Sequence, residues 1–258
     1  MSTVNRGVVR DKLLLYFDAA NVNSFVSGST RINNLVKDTL FGPVTGFPSY
    51  REENIYGSLL NGPIYSTEVK GSIVFDGSND YIDLSKHYFP GTIAAFANLT
   101  IPLTLCSWIK TTNTQAGALA YVIKNPIFGE LEDAGMPGVG VENGYLTIAY
   151  YDYGINVSKK IQSDVFVADG NWHYVAFSLS PVDSRFNTGS WSVYLDGSKQ
   201  VNQGNLPGFI LDWIDGLGAT RYGGFYNGSI AAFQIYKKNL SDSEVLQNYE
   251  VMKGRFGL

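Results

Sequence analysis

Two histidines and one cysteine are all the imidazole and thiol this chain owns. Any chemistry it performs must therefore lean on carboxylates, amides and aromatic rings. Trp172-His173 is the pairing that most invites a catalytic reading. Side chains alternate along an extended segment, so Trp172, Tyr174 and Ala176 share one face and His173, Val175 and Phe177 the other. A general base needs a partner within hydrogen-bond reach, and no motif around His173 supplies one. It reads as a structural histidine. His87 has no ligand spacing to His173, and zinc would need more nitrogen and sulfur ligands than the chain can gather. Cys106 stands near Leu103, Leu105 and Trp108 with no base beside it, and reads as a small buried hydrophobe. Being alone, it closes no intramolecular disulfide, and such a chain can be made in a reducing cytosol.

Three other clusters could act. In Glu130-Leu131-Glu132-Asp133, residues two apart on a strand share a face, and a retaining glycosidase needs two carboxylates about 5–5.5 Å apart. The segment lies between Gly129 and Gly135, however, and reads as a loop. Asp76, Asn79 and Asp80, with Asp83 close behind, gather hard oxygen at one turn, which is what calcium selects. The same residues are also what a tight turn selects, so calcium is the one cofactor left open. The loop GATRYGGFYNG, residues 218–228, sets Arg221, Tyr222, Phe225, Tyr226 and Asn227 among glycines. Aromatic faces there could stack on sugar rings while Arg and Asn hydrogen-bond hydroxyls. The same surface would suit a protein contact. Tyr150, Tyr151 and Tyr153 form a further aromatic group, half of which alternation sends into the core.

These residues need a scaffold, and the rest of the chain describes one. Hydrophobic residues make up 45% and charged residues only 16%, enough to bury a proper core. The wealth of Tyr, Phe and Gly favours strands joined by turns. A net charge of −4 argues against nucleic acid as partner. The opening MSTVNRGVVRDKLLLYFD is too short and too interrupted for a signal peptide or a membrane span.

Residues 1–12 read as a mobile or docking arm, and 12–18 as a buried strand. Residues 19–70 are punctuated by Gly and Pro and should wrap the core with short strands. From residue 71 the strands become regular. GSIVFDGSNDYIDL (71–84) is expected to be a hairpin, as are 138–152 through Asn143-Gly144 and 190–201 through Asp196-Gly197. Residues 103–111 read as a central strand, 118–125 as another, and 157–168 as edge strands with outward lysines. Residues 171–180 and 227–241 complete the set. Ser241 with Glu244 three residues on is a capping box, which predicts a helix over 241–253.

The ordered pieces FDGSNDYIDL, LTLCSWIK, DGNWHYVAFSLS, WSVYLDGSKQV and NGSIAAFQIYKKNLSDSEVLQNY resemble the concanavalin A-like, laminin G-like superfamily across about residues 71–250. The resemblance implies an all-β jelly-roll β-sandwich of two antiparallel sheets with a short C-terminal helix. One such domain would span 13–250, followed by a tail at 251–258. Glucanases of this class carry E-x-D-x-x-E on a central strand, and here the third acid is missing. Pentraxin-like relatives hold calcium through acids in the loop that corresponds to 218–228, and that loop has none. The flanks LLLYFDAANVNSF (13–25) and NYEVMKGRFGL (248–258) are similar to those of structural proteins in tailed bacteriophages. That likeness implies a non-enzymatic virion protein, made in the host cytoplasm. It would be a decoration, fibre or tail part, expected as a homo-oligomer that contacts other virion proteins and a host-surface glycan without membrane insertion. Its tail, KGRFGL, would then be a docking element for assembly. A cellular carbohydrate-binding or adhesion protein is the alternative, with a glycan hydrolase behind it.

Overall fold

A computed structural model describes residues 7–37, 39–41, 50–52, 55–84, 102–115, 125–129, 138–152, 157–183, 188–200, 204–207, 216–220 and 224–258. Two antiparallel sheets face each other, as the jelly-roll reading requires. At the centre of one sheet lies Leu103–Lys110, flanked by Trp172–Asp183 and by Asn227–Tyr236. Outward from Trp172–Asp183 comes Thr188–Leu195. On the other flank, Asn227–Tyr236 pairs with Ser72–Asp76 at its start and with Leu13–Asp18 at its end. The second sheet runs from Val157–Phe166 through Tyr145–Asp152, Gly138–Glu142, Asn125–Gly129, Gly216–Leu217, Tyr81–Asp83 and Tyr56–Leu60 to Arg31–Asn33.

Alternation decides what meets between the sheets. Ile73 and Phe75, Leu103 and Leu105, Val175 and Phe177, and Phe233 and Ile235 point inward from the first sheet. Ile82, Val139 and Val141, and Leu146 and Ile148 answer from the second. Each such side chain contributes roughly 1.5–3 kcal/mol on burial. The central strand is apolar on both faces because both are covered. Its other face, with Cys106 and Trp108, joins Trp172, Tyr174, Tyr194 and Tyr236 in a separate cluster. Burial pushes the Cys106 thiol up to about 12, so it stays protonated and inert.

That outer cluster is sealed by both ends of the chain. The helix Asp242–Met252 carries the expected capping box, with the Ser241 amide donating to Glu244 at 3.0 Å and the Ser241 hydroxyl accepting from the Glu244 amide at 3.4 Å. Its Val245 and Met252 pack on the sheet. Residues 7–12 dock here too. The Val9 amide donates to Asn248 Oδ1 at 2.8 Å, and the Tyr236 hydroxyl donates to the Val9 carbonyl at 3.2 Å. The tail also folds back onto its own sheet. Phe256 stacks on Trp108 with centroids 3.8 Å apart and rings 7° from parallel. Arg255 pairs with Asp18 at 2.6 Å and donates to the Val69 and Gly71 carbonyls. The KGRFGL segment therefore closes the domain in cis, where the sequence suggested an assembly contact.

One expected hairpin is not a hairpin. Ser72–Asp76 and Tyr81–Asp83 do not pair with each other. The first joins the strands Ile64–Ser66 and Asn227–Tyr236, and the second joins Tyr56–Leu60 and Gly216–Leu217 in the opposite sheet. The turn between them is a crossing from sheet to sheet. The hairpins at Asn143-Gly144 and Asp196-Gly197 form as expected, with φ of 54° and 85°, and 49° and 79°. Of the strand expected over 118–125, only Asn125 lies within the described residues.

Candidate functional site: the sandwich rim

At the end where the 76–80 crossing lies, six segments are tied together through side-chain amides, carboxylates, hydroxyls and backbone bonds. Asn227 heads the closing strand opposite Asp76, and its Nδ2 donates to the Asp76 carbonyl at 3.3 Å. Asn61 Nδ2 donates to the Asn79 carbonyl at 2.8 Å. Thr111 Oγ1 donates to the Asn227 carbonyl at 2.6 Å and accepts from the Asn113 amide at 3.0 Å. Asn113 Oδ1 takes the Gln115 amide at 2.9 Å, and the Gln115 carbonyl takes the Asn143 amide at 3.3 Å. The Gly170 amide donates to the Thr111 carbonyl at 3.0 Å, which brings in Asp169 and Asn171. Asn and Asp in these loops satisfy nearby backbone, so the loops are held in shape rather than left to fluctuate. Asn61, Asp76, Ser78, Asn79, Thr112, Gln115, Asn143, Asp169, Asn171 and Asn227 are all exposed, and they present neutral and acidic oxygens and amides to solvent.

The structure brings part of two sequence-selected clusters onto this rim. Asp76 and Asn79 from the crossing sit beside Asn227 from the 218–228 loop. The aromatic half of that loop behaves differently. Tyr226 is 0% exposed, its ring meets Phe75 edge-on at 5.9 Å, and its hydroxyl donates to the Lys110 carbonyl at 3.3 Å. Burial pushes that hydroxyl far above the usual tyrosine range. Tyr226 is thus a core residue and cannot offer its face to a ligand, contrary to the sequence reading. Phe225 is half-buried in a ribbon formed by Ala219–Thr220 and Gly224–Phe225. Arg221 and Tyr222 lie outside the described residues, as do His87 and Glu130, Glu132 and Asp133 of the acidic segment.

The fit to calcium is poor. Asp76 Oδ1 accepts the Ser78 and Asn79 amides at 2.7 and 3.3 Å, and these bonds, the Ser78 one first, hold its carboxyl below the usual range. Asp80 is 4% exposed, spends Oδ2 on the Asp76 amide at 3.1 Å, and is pushed upward by burial. The Asn79 carbonyl is already an acceptor for Asn61. Among the described residues no three His, Cys, Asp or Glu side chains gather as a metal-holding group. Asp76, Asn79 and Asp80 hold a turn. A real site saturated at 100 times its Kd would add about 2.7 kcal/mol of stability. We expect calcium and chelator melts to superimpose, and a clear upward shift with calcium would overturn this assignment.

His173 has the partners the sequence did not display. Nδ1 lies 2.8 Å from Asp196 and Nε2 lies 3.2 Å from Asp169, with the side chain 15% exposed. Burial alone would lower its pKa, but the two carboxylates outweigh it and the net shift is upward. Asp196 also accepts the Tyr174 amide at 2.8 Å, so the imidazole braces the 196–197 turn against the rim. A histidine with a raised folded-state pKa contributes stability that is complete below its unfolded pKa, near 6.5, and is lost as pH rises through the folded value. Melts should therefore show lower stability at pH 8 than at pH 6. His173→Gln should flatten that slope, and an unchanged slope would remove His173 as its source.

Similarity to known proteins agrees with this architecture. A family model described as "Concanavalin A-like lectin/glucanases superfamily" matches residues 76–246. No curated protein sequence matches the chain. Among solved structures, domain 4 of AbnA, an extracellular arabinanase of Geobacillus stearothermophilus in complex with arabinotriose, aligns with a TM-score of 0.55 at 16% identity, covering 93% of this chain and 100% of that one. The receptor binding domain of botulinum neurotoxin D aligns with a TM-score of 0.58 at 14% identity, covering 93% of this chain and 52% of that one. The chain spans about half the length of the toxin binding domains it matches. At these identities the likeness is one of fold.

Proposed function

The chain belongs to the concanavalin A-like lectin/glucanase superfamily, and from that premise we propose that it is a non-enzymatic recognition protein whose rim contacts glycan. The observation that carries this reading is the rim itself, with the exposed amides and carboxylates of Asn61, Asp76, Asp169, Asn171 and Asn227 held by bonds to neighbouring groups. Sugars are dense in hydroxyl donors and acceptors, and pre-fixed polar partners lose little entropy on binding them. Asn227, Asn79 and Asp76 form the centre of the contact. The arabinotriose-bound AbnA domain supports a sugar as ligand by likeness of fold alone. The likeness of residues 13–25 and 248–258 to the flanks of tailed-phage structural proteins supports a setting in a tailed-phage virion, where the chain would serve as an oligomeric surface part beside other virion proteins and without bond-making chemistry.

A glycan array with the purified chain tests the recognition role. We expect binding to at least one glycan, weakened about 2- to 10-fold by Asn227→Ala, the loss that a neutral hydrogen bond of about 0.5–1.5 kcal/mol supports. An array silent at every glycan would sink the reading. Mass spectrometry of purified phage particles tests the setting separately, since a virion part must be found in them.

A further inference from the structure

Away from the rim, a cleft of about 780 Å³ opens where both ends of the described chain meet the strand Leu13–Asp18. Its volume falls within the range of small-molecule sites, about 300–1,000 Å³. Each wall is held by its own bonds. Gly7 and Val8 are fixed to the helix, where Gln247 Nε2 donates to the Gly7 carbonyl at 2.8 Å. Leu35 is fixed to the strand, its amide donating to the Tyr16 carbonyl at 2.9 Å, while Asn34 Oδ1 takes the Tyr16 amide at 2.8 Å. Gly254 and Arg255 form the third wall through the Arg255 bonds to Asp18, Val69 and Gly71.

The charges on the cleft do not balance. Asp18 and Arg255 neutralise each other, and Asp18 Oδ1 also accepts the Ala20 amide at 3.0 Å. The Tyr16 hydroxyl donates to Asp18 Oδ2 at 3.3 Å. Arg10 remains. It is exposed, sits 6.0 Å over the Tyr16 ring, and has no carboxylate within ion-pair distance among the described residues. Val8, Leu35, Val251 and Met252 supply apolar surface beside it.

We infer that this cleft binds a small organic carboxylate, the head group of an acidic sugar or of an aliphatic acid, on the guanidinium of Arg10. A guanidinium fork matches a carboxylate with two parallel hydrogen bonds. One unbalanced positive charge suits a monoanion better than phosphate, which carries roughly −1.5 to −2 in a monoester at neutral pH. The apolar wall suits the carbon body of such an acid. The site shares no residue with the rim.

Calorimetry on the full chain with sodium D-glucuronate, sodium hexanoate, inorganic phosphate and D-glucose tests it. We expect one of the two carboxylates to bind and glucose to bind at least about 10-fold more weakly, the factor a charge-assisted hydrogen bond supports. Preference for glucuronate identifies a sugar acid as the source, and preference for hexanoate an aliphatic one. Arg10→Ala, at an exposed position, should weaken binding about 10-fold or more. Val251→Trp should block the cleft with Arg10 intact, and Asn227→Ala should leave carboxylate binding unchanged. The inference falls if neither carboxylate binds, if phosphate binds more tightly than both, or if Arg10→Ala binds as the parent does. Rim variants that lose glycan while carboxylate binding persists would keep the two sites apart.

Discussion

Truncation after Met252 is expected to lower the melting temperature by about 10 °C or more. The Arg255–Asp18 pair is 12% and 13% exposed, so cutting it leaves Asp18 without its counter-charge, held only by the Ala20 amide and the Tyr16 hydroxyl. Breaking a buried pair costs about 3–5 kcal/mol. The parallel stack of Phe256 on Trp108 contributes about 0.5–1.5 kcal/mol beyond its buried area. Each kcal/mol moves the melting temperature of a domain this size by about 2–4 °C. Arg255→Ala and Phe256→Ala should each account for part of the loss. They are neighbours on one surface, so their effects need not add. An unchanged melt of the truncated chain would mean the tail is free to dock on another protein, which is the role its sequence suggested.

Gly228→Ala should cost more than about 3 kcal/mol, a loss that belongs to the severe class of single substitutions. Gly228 has φ of 149°, and a Cβ there would stand 2.3 Å from the Lys110 carbonyl oxygen. That oxygen belongs to the central strand and accepts from Tyr226, so it cannot step aside cheaply. The position also lies between Asn227 and the strands Ser72–Asp76 and Leu103–Lys110. Rim binding should fall with stability. Gly254→Ala is the matched control, because nothing lies within 4 Å of its added Cβ. Its melt should stay within about 0.5 kcal/mol of the parent. Equal losses at the two positions would refute the steric argument.

The alternation of Ile73 with Phe75, of Leu146 with Ile148, and of Val175 with Phe177 made the strands and their buried faces legible. Asn143-Gly144 and Asp196-Gly197 made two hairpins legible, because their positive φ is a local property. Asp76-Gly77-Ser78-Asn79-Asp80 uses the same chemistry to cross between sheets. Turn residues dictate that the chain bends, and the partner of each strand is chosen by residues far away, here Asn227–Ile230 and Ser58–Leu60. The glycines around Tyr226 suggest an exposed loop, yet counting back by twos from Ile230 through Gly228 sends its ring inward. The rim's links from Asn61 to Asn79 and from Thr111 to Asn227 had no sequence signal. They join segments 18 and 116 residues apart. Of the two carboxylates around His173, Asp169 lies four residues away in sequence, while Asp196 was hidden because it belongs to the next turn of the sheet.

The contact between Phe256 and Trp108 has an optical side. Trp108 is 0% exposed beneath Phe256 and has Tyr249 and Tyr174 within stacking distance, at 5.8 and 5.4 Å. Fixed aromatic neighbours at such distances give an indole a strong near-ultraviolet circular dichroism signal and a blue-shifted emission. The chain therefore carries its own dye for the state of its C-terminus. Phe256 also lies 5.3 Å from Trp172, so lifting the tail would redden the contribution of both indoles, and the seating of the last residues could be followed in solution without a label.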